Sequence, residues 1–199
     1  MNEKKQWQQT VVHSAKECAF IAVFVAMVIA SQLVLSAVPG VEVVTVLFAS
    51  YAFVFGVRRG MIAATVFALL RQLIFGFFPT VLILYILYYN ILTATFALLG
   101  KRIQNPIKWL WVIVMFACIC TAFFTLLDDV ITPWFFGYGM QAWKLYVYAS
   151  LPVMGLQMLS AVVLVSLLFV PLQRTFALVA RLTRIRVKKA SITPDKKGI

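Results

Sequence analysis

The chain has 199 residues, of which 63% are hydrophobic and 12% charged, with a mean hydropathy of +0.97 and a net charge of +12. Soluble domains of this length do not have such a composition, and a chain of this kind needs lipid as its solvent. The positive charge does not mark a nucleic-acid binder, because Lys and Arg sit in short connections and at the ends of apolar runs, where they act as topology signals.

At roughly 20 residues per span the length supplies about six spans and leaves almost nothing for an extramembrane domain. The expected fold is therefore all-α integral membrane: six transmembrane helices in one compact bundle. Residues 1–16 read as an N-terminal tail carrying Lys4 and Lys5. The apolar run that follows is about twice the hydrophobic core of a secretory signal, so it is expected to remain as a permanent span. The spans are predicted over 17–37, 43–56, 60–78, 80–100, 108–127 and 143–170, together a transmembrane domain over 17–171. Turn chemistry separates them at Val38-Pro39-Gly40, Arg58-Arg59-Gly60, Pro79, Gly100 to Pro106 and Asp128 to Gly139. The second span is the shortest.

Six spans put both termini on one side, and the basic residues choose which. Lys4, Lys5 and Lys16, then Arg58 and Arg59, then Lys101, Arg102 and Lys108, then eight more in the tail 172–199 make sixteen of the 18 Lys and Arg on one side. Both termini are thus expected in the cytoplasm. The opposite loops hold Lys144, Glu42, Asp128 and Asp129, with Trp134 and Trp143 at that interface. The stretch Arg174 to Lys189 reads either as a basic amphipathic helix along the cytoplasmic leaflet or as a plain stop-transfer flank.

Two patterns carry functional information. Ala15, Ala19, Ala22, Ala26 and Ala30 fall within about an 80° arc of the first helix, making one face nearly smooth. Helices in lipid associate closely through small residues, so this ridge either packs inside the chain or docks a separate membrane subunit. The second pattern is depth. Measured from the cytoplasmic ends at about 1.5 Å per residue, Arg71 and Asn90 lie at roughly 16 Å, Glu42 and Gln157 at roughly 21 Å and Gln32 at roughly 24 Å. The cytoplasmic halves hold little beyond Thr and Ser apart from the terminal basic residues. A pore needs polar groups through the whole thickness, so the asymmetry predicts a pocket open to the outside above a sealed floor.

Tyr85, Tyr88 and Tyr89 lie beside Asn90, and Tyr146, Ser150 and Gln157 share a face of span 6. Flat rings with a few amides suit a planar organic molecule, although tyrosines at such depths also form interfacial belts. An Arg near the midplane is costly, so Arg71 is expected to pair with Glu42 or to meet a substrate carboxylate or phosphate. Pro152 and Gly155 are expected to kink span 6, and the run Trp134 to Gly139 offers a lid. The candidate substrate-binding residues are Gln32, Glu42, Arg71, Tyr85, Tyr89, Asn90, Asp128 and Gln157. There is no phosphate-binding glycine loop, no His-Glu-x-x-His site and no Ser nucleophile with a His partner, and His13 lies outside the spans. An enzyme is not expected, nor a cofactor or metal.

The run Val38-Pro39-Gly40-Val41-Glu42, a short second span, the turn Phe55-Gly56-Val57-Arg58-Arg59-Gly60, then Phe75-Gly76-Phe77-Phe78-Pro79 and Tyr88-Tyr89-Asn90, resembles the S components of energy-coupling factor (ECF) vitamin transporters. The resemblance covers residues 15–170 and rests on spacing and span order. It implies a six-span protein of the bacterial cytoplasmic membrane that captures a vitamin or related micronutrient from outside. A transmembrane coupling subunit and two ATPase subunits would drive its release inward. The family's small-x-x-x-small motif, which contacts the coupling subunit, falls on Ala15, Ala19, Ala22, Ala26 and Ala30. A self-contained small permease or a non-transporting assembly factor is the competing expectation.

Overall fold

The structure, a computed structural model, describes residues 15–37, 43–103 and 105–182. Those residues form six α-helices and no strand: α1 Ala15–Leu35, α2 Val43–Phe55, α3 Val57–Phe75, α4 Pro79–Arg102, α5 Leu110–Phe135 and α6 Met140–Leu182. Four of them, α1, α4, α5 and α6, are long and apolar enough to cross a membrane. The 19-residue α3 carries Arg58, Arg59 and Arg71, and α2 has only 13 residues.

The short helix is the hub. Every residue of α2 from Val44 to Phe55 is buried, as expected for a helix that is apolar all round. It touches all five other helices, which follow one another around it in the order α1, α3, α4, α5, α6. Phe24 of α1 meets Phe176 of α6 edge-on at 5.7 Å and closes the ring at one end. That end gathers the start of α1, the end of α2, the start of α3 and the ends of α4 and α6. Arg59 donates to Glu17 Oε1 at 2.7 Å there, tying α3 to α1, and a Cβ at Gly100 would fall inside contact distance of the Phe53 carbonyl. It is the basic end, with Arg58, Arg59, Lys101, Arg102, Arg174 and Arg181. At about 20 Å, α2 is shorter than the roughly 30 Å of a hydrocarbon core.

The helix boundaries depart from expectation in three places. The second and third helices are separated by Gly56 alone, not by Arg58-Arg59-Gly60. Gly56 takes φ 84°, a conformation glycine adopts without penalty, and its N–H closes α2 on the Ala52 carbonyl at 2.8 Å. Gly60 is helical and lets α3 approach α4: a Cβ there would sit 3.0 Å from Thr93 Cβ.

The fifth helix continues through Asp128 and Asp129 to Phe135 rather than ending near residue 127. Pro133 inside it has no N–H for the Asp129 carbonyl four residues back. The Trp143 indole N–H from α6 donates to that carbonyl instead, at 2.9 Å. Trp143, expected as an interface marker, thus repairs a broken helical bond.

The sixth helix does not stop near residue 170 but runs to Leu182, with Pro152 and Pro171 inside it. Gln173, Phe176, Ala177 and Ala180 form a buried stripe at helical spacing, while Arg174 and Arg181 stay exposed. The segment expected from Arg174 is amphipathic through Leu182, but its apolar face covers the bundle. Residues 183–189 of that expectation lie outside the described residues.

Candidate functional site

The far end of the bundle, opposite the basic end, holds two polar clusters built on different helices. In the first, α1, α3 and α4 converge. Gln32 Nε2 donates to the Tyr85 hydroxyl at 3.2 Å. The Arg71 guanidinium lies over the Tyr85 ring at 4.5 Å and over the Phe75 ring at 4.8 Å. Phe75 is one turn along α3, so helical spacing alone stacks it on the arginine. Two guanidinium nitrogens, Nε and Nη1, are buried without a hydrogen-bond partner. Beside it, Gln72 is 5% exposed; its Oε1 accepts the Phe78 N–H at 3.1 Å, and its Nε2 is buried and unpartnered.

A cation over an aromatic face gains about 0.5 to 2 kcal/mol, whereas burying a charge that lacks hydrogen-bond partners costs several kcal/mol. The rings therefore offset part of the cost of Arg71 and leave its hydrogen-bonding capacity unused. Glu42, the expected pairing partner, lies outside the described residues.

The second cluster joins α5 and α6. The Tyr146 hydroxyl donates to Asp128 Oδ2 at 2.8 Å and Thr132 Oγ1 to Asp128 Oδ1 at 2.7 Å. The Ser150 hydroxyl donates to Asp129 Oδ2 at 2.8 Å, and Thr125 Oγ1 donates to Gln157 Oε1 at 3.1 Å. The face of span 6 read from Tyr146, Ser150 and Gln157 is thus answered by Asp128, Asp129 and Thr125 of α5. Both oxygens of Asp128 are engaged, whereas Asp129 Oδ1 is buried without a partner. Phe124, one turn below Asp128, connects the clusters through ring contacts with Tyr85 at 6.0 Å and Tyr88 at 4.8 Å. Over the α6 side, Tyr138 of the α5–α6 turn meets Tyr146 at 6.1 Å.

Below these clusters the interior is aromatic. Phe48, Phe67 and Tyr89 meet at centroid distances of 5.1 to 5.3 Å. Nearer the basic end, Phe24 stacks on Tyr51 at 3.9 Å, with Phe55 and Phe176 against them. All of these rings are buried. They form a floor between the polar clusters and the Glu17–Arg59 pair.

Of the expected site residues, Gln32, Arg71 and Tyr85 come together around α3 and α4 with Tyr89 in the floor beneath them, and Asp128 and Gln157 come together around α5 and α6. Asn90 does not join either cluster: its Nδ2 donates to the Ile86 carbonyl at 2.7 Å and to Thr65 Oγ1 at 3.3 Å, bridging α4 to α3. Gln72, Phe75 and Phe124 belong to the site although sequence reasoning does not select them. Gln72 is visible as the neighbour of the only Arg inside a span, whereas the two phenylalanines are lost among 17. Tyr148 is 70% exposed, in keeping with a belt residue, whereas Tyr146 faces Asp128.

Ala15, Ala19, Ala22, Ala26 and Ala30 are all exposed. The opposite face of α1, with Ile21, Phe24, Val25, Val28 and Ile29, is the one buried in the bundle. Among the described helices, none packs over the ridge.

No protein-family model matches the chain, and no curated protein or solved structure is significantly similar to it.

Proposed function

We propose that this chain is the substrate-binding subunit of an ECF-type transporter, capturing a vitamin-like small molecule at the end of the bundle opposite the basic one. In this reading all six helices lie in the membrane and the basic end faces the cytoplasm, since Arg58, Arg59, Lys101, Arg102, Arg174 and Arg181 collect there. The polar clusters then open to the outside.

The observation that carries the proposal is the pairing of a half-buried, hydrogen-bond-deficient cluster around Arg71 with a closed aromatic floor beneath it. Unspent donors are costly in an apolar interior and are retained where a ligand uses them. A floor of interlocked rings suits capture and opposes free passage. Release to the cytoplasm therefore calls for outside work, for which the exposed alanine face of α1 offers a docking surface to a coupling subunit with its ATPases. The resemblance in span order and turn motifs points the same way.

Reconstitution of the purified chain alone into proteoliposomes tests the proposal. Any small molecule that copurifies with the chain is expected to bind it without accumulating in the lumen. Accumulation without any ATPase subunit would replace the proposal with a self-contained permease.

A further inference from the structure

The proposed pocket leaves the nature of its ligand open, and the polar atoms without partners narrow it. Around Tyr85 the unused groups are three donors, Nε and Nη1 of Arg71 and Nε2 of Gln72, against one acceptor, Gln32 Oε1. The Gln72 amide has a fixed sense, because its oxygen accepts the Phe78 N–H, so it is the nitrogen that remains to be satisfied. The described carboxylates have their partners elsewhere, with one oxygen of Asp129 left over on the α5–α6 side. Glu17 pairs with Arg59 at the basic end, Asp128 holds Thr132 and Tyr146, and Asp129 holds Ser150.

The start of α2 adds to this balance. Phe48 of α2 packs on Phe67 of α3 at 5.2 Å, and the two helices run in opposite directions. One turn back from Phe48 and one turn on from Phe67 bring Val44 and Arg71 to the same depth. The start of α2, the positive end of its helix dipole, therefore lies at the level of Arg71. The walls are flat: the Tyr85 ring stacks on Phe67 at 5.9 Å and 21° and meets Tyr89 and Phe124 edge-on.

We propose that the ligand is a flat ring compound bearing an oxyanion, a carboxylate or phosphate, with the oxyanion received by Arg71 and Gln72 and the ring held among the aromatic side chains that surround them. The inference rests on the reading of this cluster as a substrate pocket. A guanidinium fork matches planar oxyanions, and stacking on two rings holds it in one plane without using its N–H groups.

The test uses the full-length chain in detergent and measures the thermal midpoint against benzoate, phenyl phosphate and benzamide. Benzoate or phenyl phosphate is expected to bind at least tenfold more tightly than benzamide, about 1.4 kcal/mol. Arg71→Met is expected to abolish that preference and Arg71→Lys to retain part of it. The wild-type contrast stands even if neither variant folds. Equal shifts with benzoate and benzamide would overturn the oxyanion while leaving a ring pocket in place. No shift with any of the three would overturn the pocket as well. Stabilisation by phosphatidylglycerol that is lost in Arg71→Met, without a response to the soluble acids, would assign the site to a lipid headgroup and overturn the proposal. Benzoate shifting Glu42→Gln but not the wild type would show that Glu42 already neutralises Arg71, and would overturn it too.

Discussion

Replacing Trp143 by Phe removes one N–H donor while keeping an aromatic ring, and the structure assigns that donor a specific duty. It satisfies the Asp129 carbonyl, which Pro133 leaves without its helical partner. A buried carbonyl stripped of its partner costs about 1 to 3 kcal/mol, while hydrogen bonds between membrane helices average about 0.6 kcal/mol and reach about 1.7. Trp143→Phe is accordingly expected to destabilise the fold by about 1 to 2 kcal/mol, including lost ring packing. Pro133→Ala restores an N–H to the helix, so the same carbonyl regains an internal partner. In that background Trp143→Phe should cost about 1 kcal/mol less. Unfolding of the four proteins of this cycle in mixed micelles, followed by tryptophan-independent circular dichroism, measures the coupling. Additive effects, with no coupling beyond about 0.3 kcal/mol, would refute the reasoning.

Three further outcomes are expected. Gly100→Leu drives a side chain into the Phe53 backbone and should destabilise the α2–α4 contact by about 1 to 3 kcal/mol or more, seen as a lowered thermal midpoint; an unchanged midpoint would mean the two backbones are not in close approach. Ala22→Leu with Ala26→Leu should leave folding and ligand binding intact, since both alanines are exposed, but abolish uptake in cells, measured as accumulation of the copurifying molecule. Loss of binding instead would place the ridge inside the structure. Asn90→Ala should lower stability by about 1 kcal/mol through the lost Thr65 and Ile86 bonds with less than a threefold change in ligand affinity, which calorimetry on the purified protein resolves.

The helices were legible because apolar runs of this length have one use, and their order followed from turn residues. The ends were harder to read. Asp128, Asp129 and Pro133 look like loop chemistry, yet each is compensated from α6, by Tyr146, Ser150 and Trp143 respectively. Such compensation is tertiary and leaves no local mark. The same holds at Gly56, where one residue makes the break expected at Arg58-Arg59-Gly60. Burial of α2 on every side could be inferred from its short, uniformly apolar sequence, but its place as the hub could not. The segment from Arg174 reads as amphipathic with Phe176, Val179, Leu182 and Ile185 on its apolar face, whereas the buried stripe is Gln173, Phe176, Ala177 and Ala180; periodicity marks an apolar face without saying whether lipid or protein covers it.

For the site, depth along the spans selects Arg71 and Gln32, and the tyrosine patch beside Asn90 selects Tyr85; the three meet across three helices. Depth also selects Asn90, whose amide is spent on Thr65 and Ile86. Depth gives a layer but not a direction, and rotation about the helix axis decides which groups of a layer face one another. Asp129 shows the converse: adjacent to Asp128 in sequence, it retains the free oxygen that its neighbour lacks.

Native mass spectrometry of the full-length chain, released from detergent with its bound small molecule, tests the central claim most directly. One molecule per chain is predicted for the wild type, and its loss from a variant combining Arg71→Ala and Tyr85→Ala that retains the wild-type helical content. A wild-type chain that emerges empty, or an occupancy indifferent to both substitutions, would contradict the account.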